Sequence, residues 1–367
     1  MIKFLSSTRI TVVCLFLLFI LTFWGTIAQV QQGLYAAQDR FFNSFYFLAA
    51  GWIPFPGAQL VLWVLFVNLI CMVILTYKKF LLWINWGNLV IHVGILLYFV
   101  AAFMVFQVSK ESSIHLAQGQ STNVATSYFE WELAYWLDSD ATHRTVSAID
   151  ANHFKPDQSI PVESKDFTLS VKQFYANSEA FGDGSGKKNP KILNGSGITL
   201  LTPKAVLKER EQNTAGGVFT IKFDGKSYTL ILYGSEPNPT PVTIGGKTYY
   251  FSLRLKRYPL PFTLKLDQFK ADFHPGTDMA KSYESLVTIK TGTLQRQVRI
   301  YMNNPLRFND YTVYQASYST DNQGRQYSTL AVVKNSARVM PYVACLVVFA
   351  GLALHFLMQA FVSRIKP

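Results

Sequence analysis

The chain has 367 residues, half of them hydrophobic and only 15% charged, well under the roughly one-quarter charged residues of a soluble domain. Its net charge of +12 does not mark a nucleic-acid binder. Lys3, Arg9, Lys78, Lys79, Arg364 and Lys366 flank apolar runs with no acid beside them and supply half the excess, and the rest is spread thinly, which excludes a concentrated phosphate-binding patch.

Four apolar runs, Ile10–Ala28, Gln59–Tyr77, Asn85–Gln107 and Pro341–Val362, are each near the ~20 residues that a spanning helix needs. Positive flanks mark the cytoplasmic side. The expected topology therefore has both termini inside and a large domain outside. The expected fold is four transmembrane α-helices plus a large, mainly antiparallel β extracytoplasmic domain, placed in the cell's inner (cytoplasmic) membrane.

Residues 1–28 read as a basic leader and the first span. This run exceeds the ~7–15-residue h-region of a signal peptide, so a retained anchor is expected. Residues 29–57 form an external loop dense in aromatics, among them Phe41, Phe42, Phe47, Trp52 and Phe55. Aromatic rings favour the membrane–water boundary, so an interfacial segment is expected, with the wall of an apolar ligand site as the sharper alternative. Residues 58–107 read as a hairpin of the second and third spans, joined by the basic turn Tyr77-Lys78-Lys79. Gly87 and Gly94 lie seven apart on one face of the third span, where small residues permit close helix approach.

Residues 108–338 change character to β-branched and aromatic runs bounded by turn signals. Asp224-Gly225 and Gly245-Gly246 predict hairpins, and further strands are expected at Phe262–Leu266, Ser285–Lys290, Gln297–Tyr301, Tyr311–Tyr318 and Ser328–Val333. Residues 177–197, rich in Gly, Asn, Ser and Lys, predict a flexible insertion. Residues 339–367 are the fourth span and a basic tail. The three cysteines, Cys14, Cys71 and Cys345, all fall in spans, so there is neither a disulfide framework nor a C-x-x-C pair.

Two histidines lie inside apolar runs: His92 in the third and His355 in the fourth. An ionisable side chain at that depth is a functional-site hypothesis by default. Each lies ~10 Å from the inner end of its span. At matching depth the pair could ligate one haem iron axially or relay a proton; alternatively, each bonds a neighbouring helix. The external histidines His115, His143, His153 and His274 have no metal-ligand spacing and read as solvated, with His115 as a candidate for meeting a ligand at the membrane surface. Nucleotide-binding, hydrolase and haem-attachment motifs are absent, so no catalytic residue is assigned.

Asn304-Pro305-Leu306-Arg307-Phe308, then Tyr311 and Tyr314-Gln315-Ala316-Ser317-Tyr318, resemble the N-x-P-L … G-Y-x-x-Y-Q-x-S-Y block of the ResB family, also called CcsB, of cytochrome c biogenesis proteins. Asp310 stands where that block has glycine, a change that bears on turn geometry. Phe262–Phe269, His274-Pro275-Gly276 and Ser282–Ile289 match the family pattern upstream. Ser6–Ile10 and Gly25–Gln29 resemble its first span and exit, and Trp86–Gly94 its third-span histidine motif.

The resemblance implies a subunit of the System II cytochrome c synthase. Its partner would be a CcsA/ResC-type membrane protein, and together they would carry haem b across the membrane and attach it to the C-x-x-C-H of apocytochrome c. A thiol-reducing protein is a further expected partner, and nucleic acid is not. The family's intramembrane haem ligand maps to His92, which would make His92 a ligand of haem iron, its counterpart belonging to the partner. His355 receives no role from the family and stays a speculative haem contact. The Trp-rich motif of the partner is absent, so the chain is expected to be a non-autonomous half of a haem lyase. Two other readings remain: a membrane scaffold, without haem, whose β domain binds partner or apocytochrome, and a proton- or electron-transfer subunit using both histidines.

Overall fold

The structure, a computed structural model, describes residues 2–80, 82, 85–138, 145–163, 166–182, 192–193, 197–277 and 280–365. It divides into two compact units: Met1–Lys110 with Arg307–Thr312 and Val333–Pro367, and Glu111–Leu306 with Val313–Val332.

The first unit is built on helices. α1 (Ile2–Leu5) breaks at Ser6-Ser7 before α2 (Thr8–Gln32), and the Ser7 side chain caps α2 by accepting from Arg9 N. A break in an apolar helix frees backbone carbonyls that hydrocarbon cannot satisfy. Asn68, 5% exposed, answers this: its Nδ2 donates to Leu5 O and to Ser7 O (3.1 Å), and its Oδ1 accepts from Thr11 Oγ1 at 2.7 Å. The chain then forms α3 (Leu34–Ala37), a π-helical turn Gln38–Phe42, and a hairpin of β1 (Tyr46–Ala49) with β2 (Ile53–Pro56). α4 (Ala58–Phe80), α5 (Trp86–Val108) and α6 (Met340–Ile365) follow. Among the described residues four helices are long and apolar enough to cross a membrane: Thr8–Gln32, Ala58–Leu75 within α4, Trp86–Val108, and Met340–Phe361 within α6.

The aromatic loop is only partly the boundary segment expected. Phe41 and Phe47 are buried against Trp24 of α2, with ring centroids 5.4 and 5.6 Å away, while Tyr46 and Trp52 are exposed. Half of its rings thus form a small core, because burying a ring removes more apolar area from water than leaving it at an interface.

The second unit is a β structure. β3 (Lys110–Ala117) and β4 (Ser121–Leu137) open it, followed by β5 (Ser147–Asp150), β6 (Ser159–Ile160), β7 (Thr168–Tyr175), β8 (Ser178–Gly182), β9 (Ile192–Leu193) and β10 (Ile198–Pro203). Then come β11 (Gly216–Phe223), β12 (Lys226–Tyr233), β13 (Thr240–Ile244), β14 (Lys247–Phe273), β15 (Ala280–Thr291), β16 (Leu294–Tyr301), β17 (Leu306–Phe308), β18 (Tyr311–Thr320) and β19 (Gln326–Lys334). A five-stranded sheet has order β6-β7-β11-β12-β9, and the larger sheet runs β16-β15-β14-β4-β3-β19-β18-β17 with β13 and β5 attached. Both predicted hairpins form, β11–β12 and β13–β14. Asp224, Gly225, Gly245 and Gly246 all have positive φ, the mirror-image turn that matches strand twist.

The core lies where the two sheets face each other: Leu169, Phe219, Ile221 and Leu230 from one, Leu133, Phe251 and Leu253 from the other. The strand that follows the Gly245-Gly246 turn and the one expected at Phe262–Leu266 are one strand, β14, kinked by register shifts at Leu255/Arg257 and Pro259/Leu264. Pro259 and Pro261 supply no N–H, and an irregularity is where a strand tolerates that. The insertion expected over 177–197 begins as β8, paired antiparallel with β10, and Asn177 is buried, bonding Ala205 O and Thr214 N. Residues 183–191 and 194–196 of that stretch lie outside the described residues.

Candidate functional site

α5 presents two opposite faces. Glycine lines one. A Cβ on Gly87 would meet His355 Cα and N at 2.4 Å, and one on Gly94 would meet Val348 N at 2.9 Å; from α6, a Cβ on Gly351 would meet Ile91 N at 2.7 Å. α5 and α6 therefore touch backbone to backbone, which only hydrogen side chains permit. The glycines do allow close approach, as expected, but by α6 and on the side away from His92. Five residues separate Gly87 from His92, which turns the imidazole about 140° round the helix and moves it about 7.5 Å along.

The opposite face carries His92, Phe99, Phe103 and Phe106, spaced by seven, eleven and fourteen residues from the histidine, so they stack along one side. Here α4 and α5 meet through rings: Phe66 with Phe99 at 5.9 Å between centroids, and Trp63 with Phe103 at 6.2 Å. The predicted hairpin of these spans is held by side chains at arm's length, not by close backbone contact.

His92 Nδ1 lies 2.6 Å from Asn88 O, one turn back. A carbonyl only accepts, so Nδ1 is the donor in this bond. A metal-ligating histidine commonly donates its other ring N–H to a carbonyl in this way, which fixes the ring. His355 is different. It sits in the α5–α6 seam, and its buried Nδ1 has no hydrogen-bond partner among the described residues. The matching depths expected for the two histidines differ by the five-residue offset of Gly87 from His92, and they occupy different faces of α5.

Of the external histidines, His143 lies outside the described residues. His115 bonds Thr329 Oγ1 through Nδ1 at 3.0 Å, and desolvation there pushes its pKa below the ordinary value. His153 closes a 3₁₀ turn, and the His274 carbonyl accepts from Thr277 N at 3.1 Å. Among the described residues no group of three or more His, Cys, Asp or Glu could hold a metal ion.

In the β unit the Tyr314–Tyr318 segment builds a buried polar node. Gln315 Oε1 accepts from Ser285 Oγ at 2.6 Å, its Nε2 donates to Ser328 Oγ at 3.1 Å, and the two serines are 2.7 Å apart. Tyr318 packs against Phe269 and Tyr283, and Tyr283 Oη donates to Ala316 O. The left-handed residue of the turn before Tyr311 is Asn309, φ 47°, so the position held by Asp310 does not call for glycine. Residue types did not point to two charged features: the Arg254–Glu132 pair at 2.8 Å, with Glu132 nearly inaccessible, and Lys256 between Asp150 and Glu130, with Tyr258 donating to Glu130. Their partners lie over a hundred residues apart, beyond any local pattern.

A family model described as the ResB-like family matches residues 242–324, the segment from β13 to just past β18. A curated relative, Protein NrfI of Wolinella succinogenes, is 21% identical over 272 residues, 72% of this chain. The chain spans 27% of the length of that relative.

Proposed function

This chain belongs to the ResB-like family, and from that premise we propose that it serves cytochrome c biogenesis as the haem-handling, ResB/CcsB-type half of a System II synthase. The observation that carries this reading is His92: an imidazole inside an apolar helix, its ring oriented by the Nδ1 bond to Asn88 O, on the helix face that also carries Phe99, Phe103 and Phe106. Haem b is the cargo, and its iron offers the coordination position that an imidazole nitrogen fills.

The chain's own contribution is orientation and dryness. The Asn88 carbonyl fixes the His92 ring, and the glycine seam fixes the rotation of α5, so that His92 looks away from α6. Phe99 and Phe103 keep the neighbouring surface apolar. His92 supplies one ligand, and the second comes from a CcsA/ResC-type partner. The β unit then lies on the outer side, with Lys3 and Arg9 at the inner boundary of the inner membrane. Apocytochrome c, and a thiol-reducing protein for its cysteines, meet the complex on that outer side.

The test is the haem content and visible spectrum of the full chain purified with its CcsA-like partner. His92→Ala loses most of the haem and shifts the remaining Soret band; His355→Ala keeps both. Unchanged haem in His92→Ala overturns the reading. The scaffold reading is favoured by one observation, that the ResB-like match runs from β13 to just past β18 and touches none of the membrane-length helices; it expects normal haem content but lost partner co-purification on disrupting Gln315.

A further inference from the structure

Above His92, α4 and α5 do not close on each other. Between them lies a cavity of about 570 Å³, within the ~300–1,000 Å³ range of small-molecule sites. Its walls follow helical spacing on both sides: Gln59, Leu62, Trp63 and Phe66 on α4, and Phe99, Ala102, Phe103 and Phe106 on α5. The α5 wall is the His92 face continued, starting about 10 Å further along the helix. The rings bridging the helices, Trp63–Phe103 and Phe66–Phe99, form one side of the space. At the end where α4 begins, Phe42 and Asn43 line it, together with the Gln59 amide.

We propose that this groove is a second station for the same flat macrocycle, one that grips the porphyrin ring by stacking and offers no histidine to its iron. The proposal rests on the haem-handling reading of His92 and adds a second place on the same helix face. Three features favour this occupant. The wall is a ladder of rigid aromatic rings, which rewards a flat π-surface more than a mobile acyl chain. Phe42 and Asn43 line the end at the start of α4, where a spanning partner helix would have to pass them and a ligand shorter than the membrane would not. Asn43 and Gln59 put two amides at that end, matching a ligand whose apolar ring carries polar groups at one edge. A cargo released from His92 would meet this surface without turning to another face of α5.

The experiment uses metal-free protoporphyrin IX, which cannot be ligated by histidine. The full chain in lipid nanodiscs is titrated with it while tryptophan fluorescence is followed, with Trp63→Phe reporting the Trp63 share. Saturable one-to-one quenching of Trp63 is expected, unchanged in His92→Ala. Ala102→Trp, which fills the groove from a face that packs against no backbone, weakens it at least tenfold while leaving iron-haem binding at His92 in place. Quenching that does not saturate, or that scales with lipid as in empty nanodiscs, means partition into the bilayer and overturns the proposal. So does an affinity that Ala102→Trp leaves unchanged. Because the probe lacks iron, failure here leaves the His92 reading standing, and loss of the His92 reading leaves porphyrin binding in the groove measurable.

Discussion

At position 92 one hydrogen bond sets the geometry on which the proposed haem ligation depends. Nδ1 of His92 donates to the carbonyl of Asn88, which fixes the orientation of the ring. His92→Gly should lose haem and recover it when imidazole is added, since the free ligand replaces the nitrogen but not the helix; the Soret position reads this directly. Asn68 is the other residue whose environment sets its worth. It satisfies two carbonyls and one hydroxyl at the α1–α2 break, and interhelical bonds in membranes are each worth about 0.6 kcal/mol on average. Asn68→Leu should therefore cost about 1–2 kcal/mol, read as a lowered thermal unfolding temperature of the full chain in detergent. Both residues were visible in the sequence as polar groups in apolar runs. The partner of His92 is one turn back on its own helix, whereas those of Asn68 lie more than fifty positions away, beyond any local pattern.

Elements show where pattern reading holds and where it stops. All four apolar helices appear where hydropathy placed them, because length and apolarity are local properties. Which helix faces which is not local. The glycines of α5 signalled close approach, yet their partner is α6, some 250 residues on, met at His355, Val348 and Gly351. Gly87→Leu would drive a side chain into the His355 backbone. Overpacking of this kind costs about 1–3 kcal/mol, and because the seam sets the rotation of α5, the variant should also lose haem although it leaves His92 intact. In the β unit, turn chemistry at Asp224-Gly225 and Gly245-Gly246 fixed two hairpins. The 17-residue β4 was not legible, because Ser121–Leu137 mixes threonine, serine and glutamate with its rings, and a strand paired on both sides gains stability from neighbours instead of from alternation.

At the scale of the whole molecule, charge separates the two units. The β unit holds the described salt bridges, Arg254–Glu132 and Lys256–Asp150 among them. Burial alone would raise the Asp150 carboxyl, but the Lys256 ammonium and the Asn152 N–H outweigh it and hold the pKa below its ordinary 3.8. Asp267 is lowered too, chiefly by the Thr288 hydroxyl. A carboxyl depressed in the folded state contributes stability that is complete above its unfolded pKa and is lost as pH falls through the folded one. Stability of the β unit should thus fall in two steps as pH drops, a first below about 6.5 from His115, whose burial holds its pKa down, and a second below about 4 from these carboxyls, as followed by tryptophan fluorescence; His115→Gln should remove the first step and leave the second.

Composition and patterning alone specify the four apolar spans, the β domain, the two hairpins and the place of His92 inside a span. Each of these depends on composition, periodicity or a short motif within one segment. Packing between elements settles instead that His355 of α6 meets the face of α5 turned away from His92, that the glycines serve α6, and that an aromatic groove continues the His92 face. Those facts depend on rotation about a helix axis and on contacts between segments hundreds of residues apart, and no local pattern encodes them.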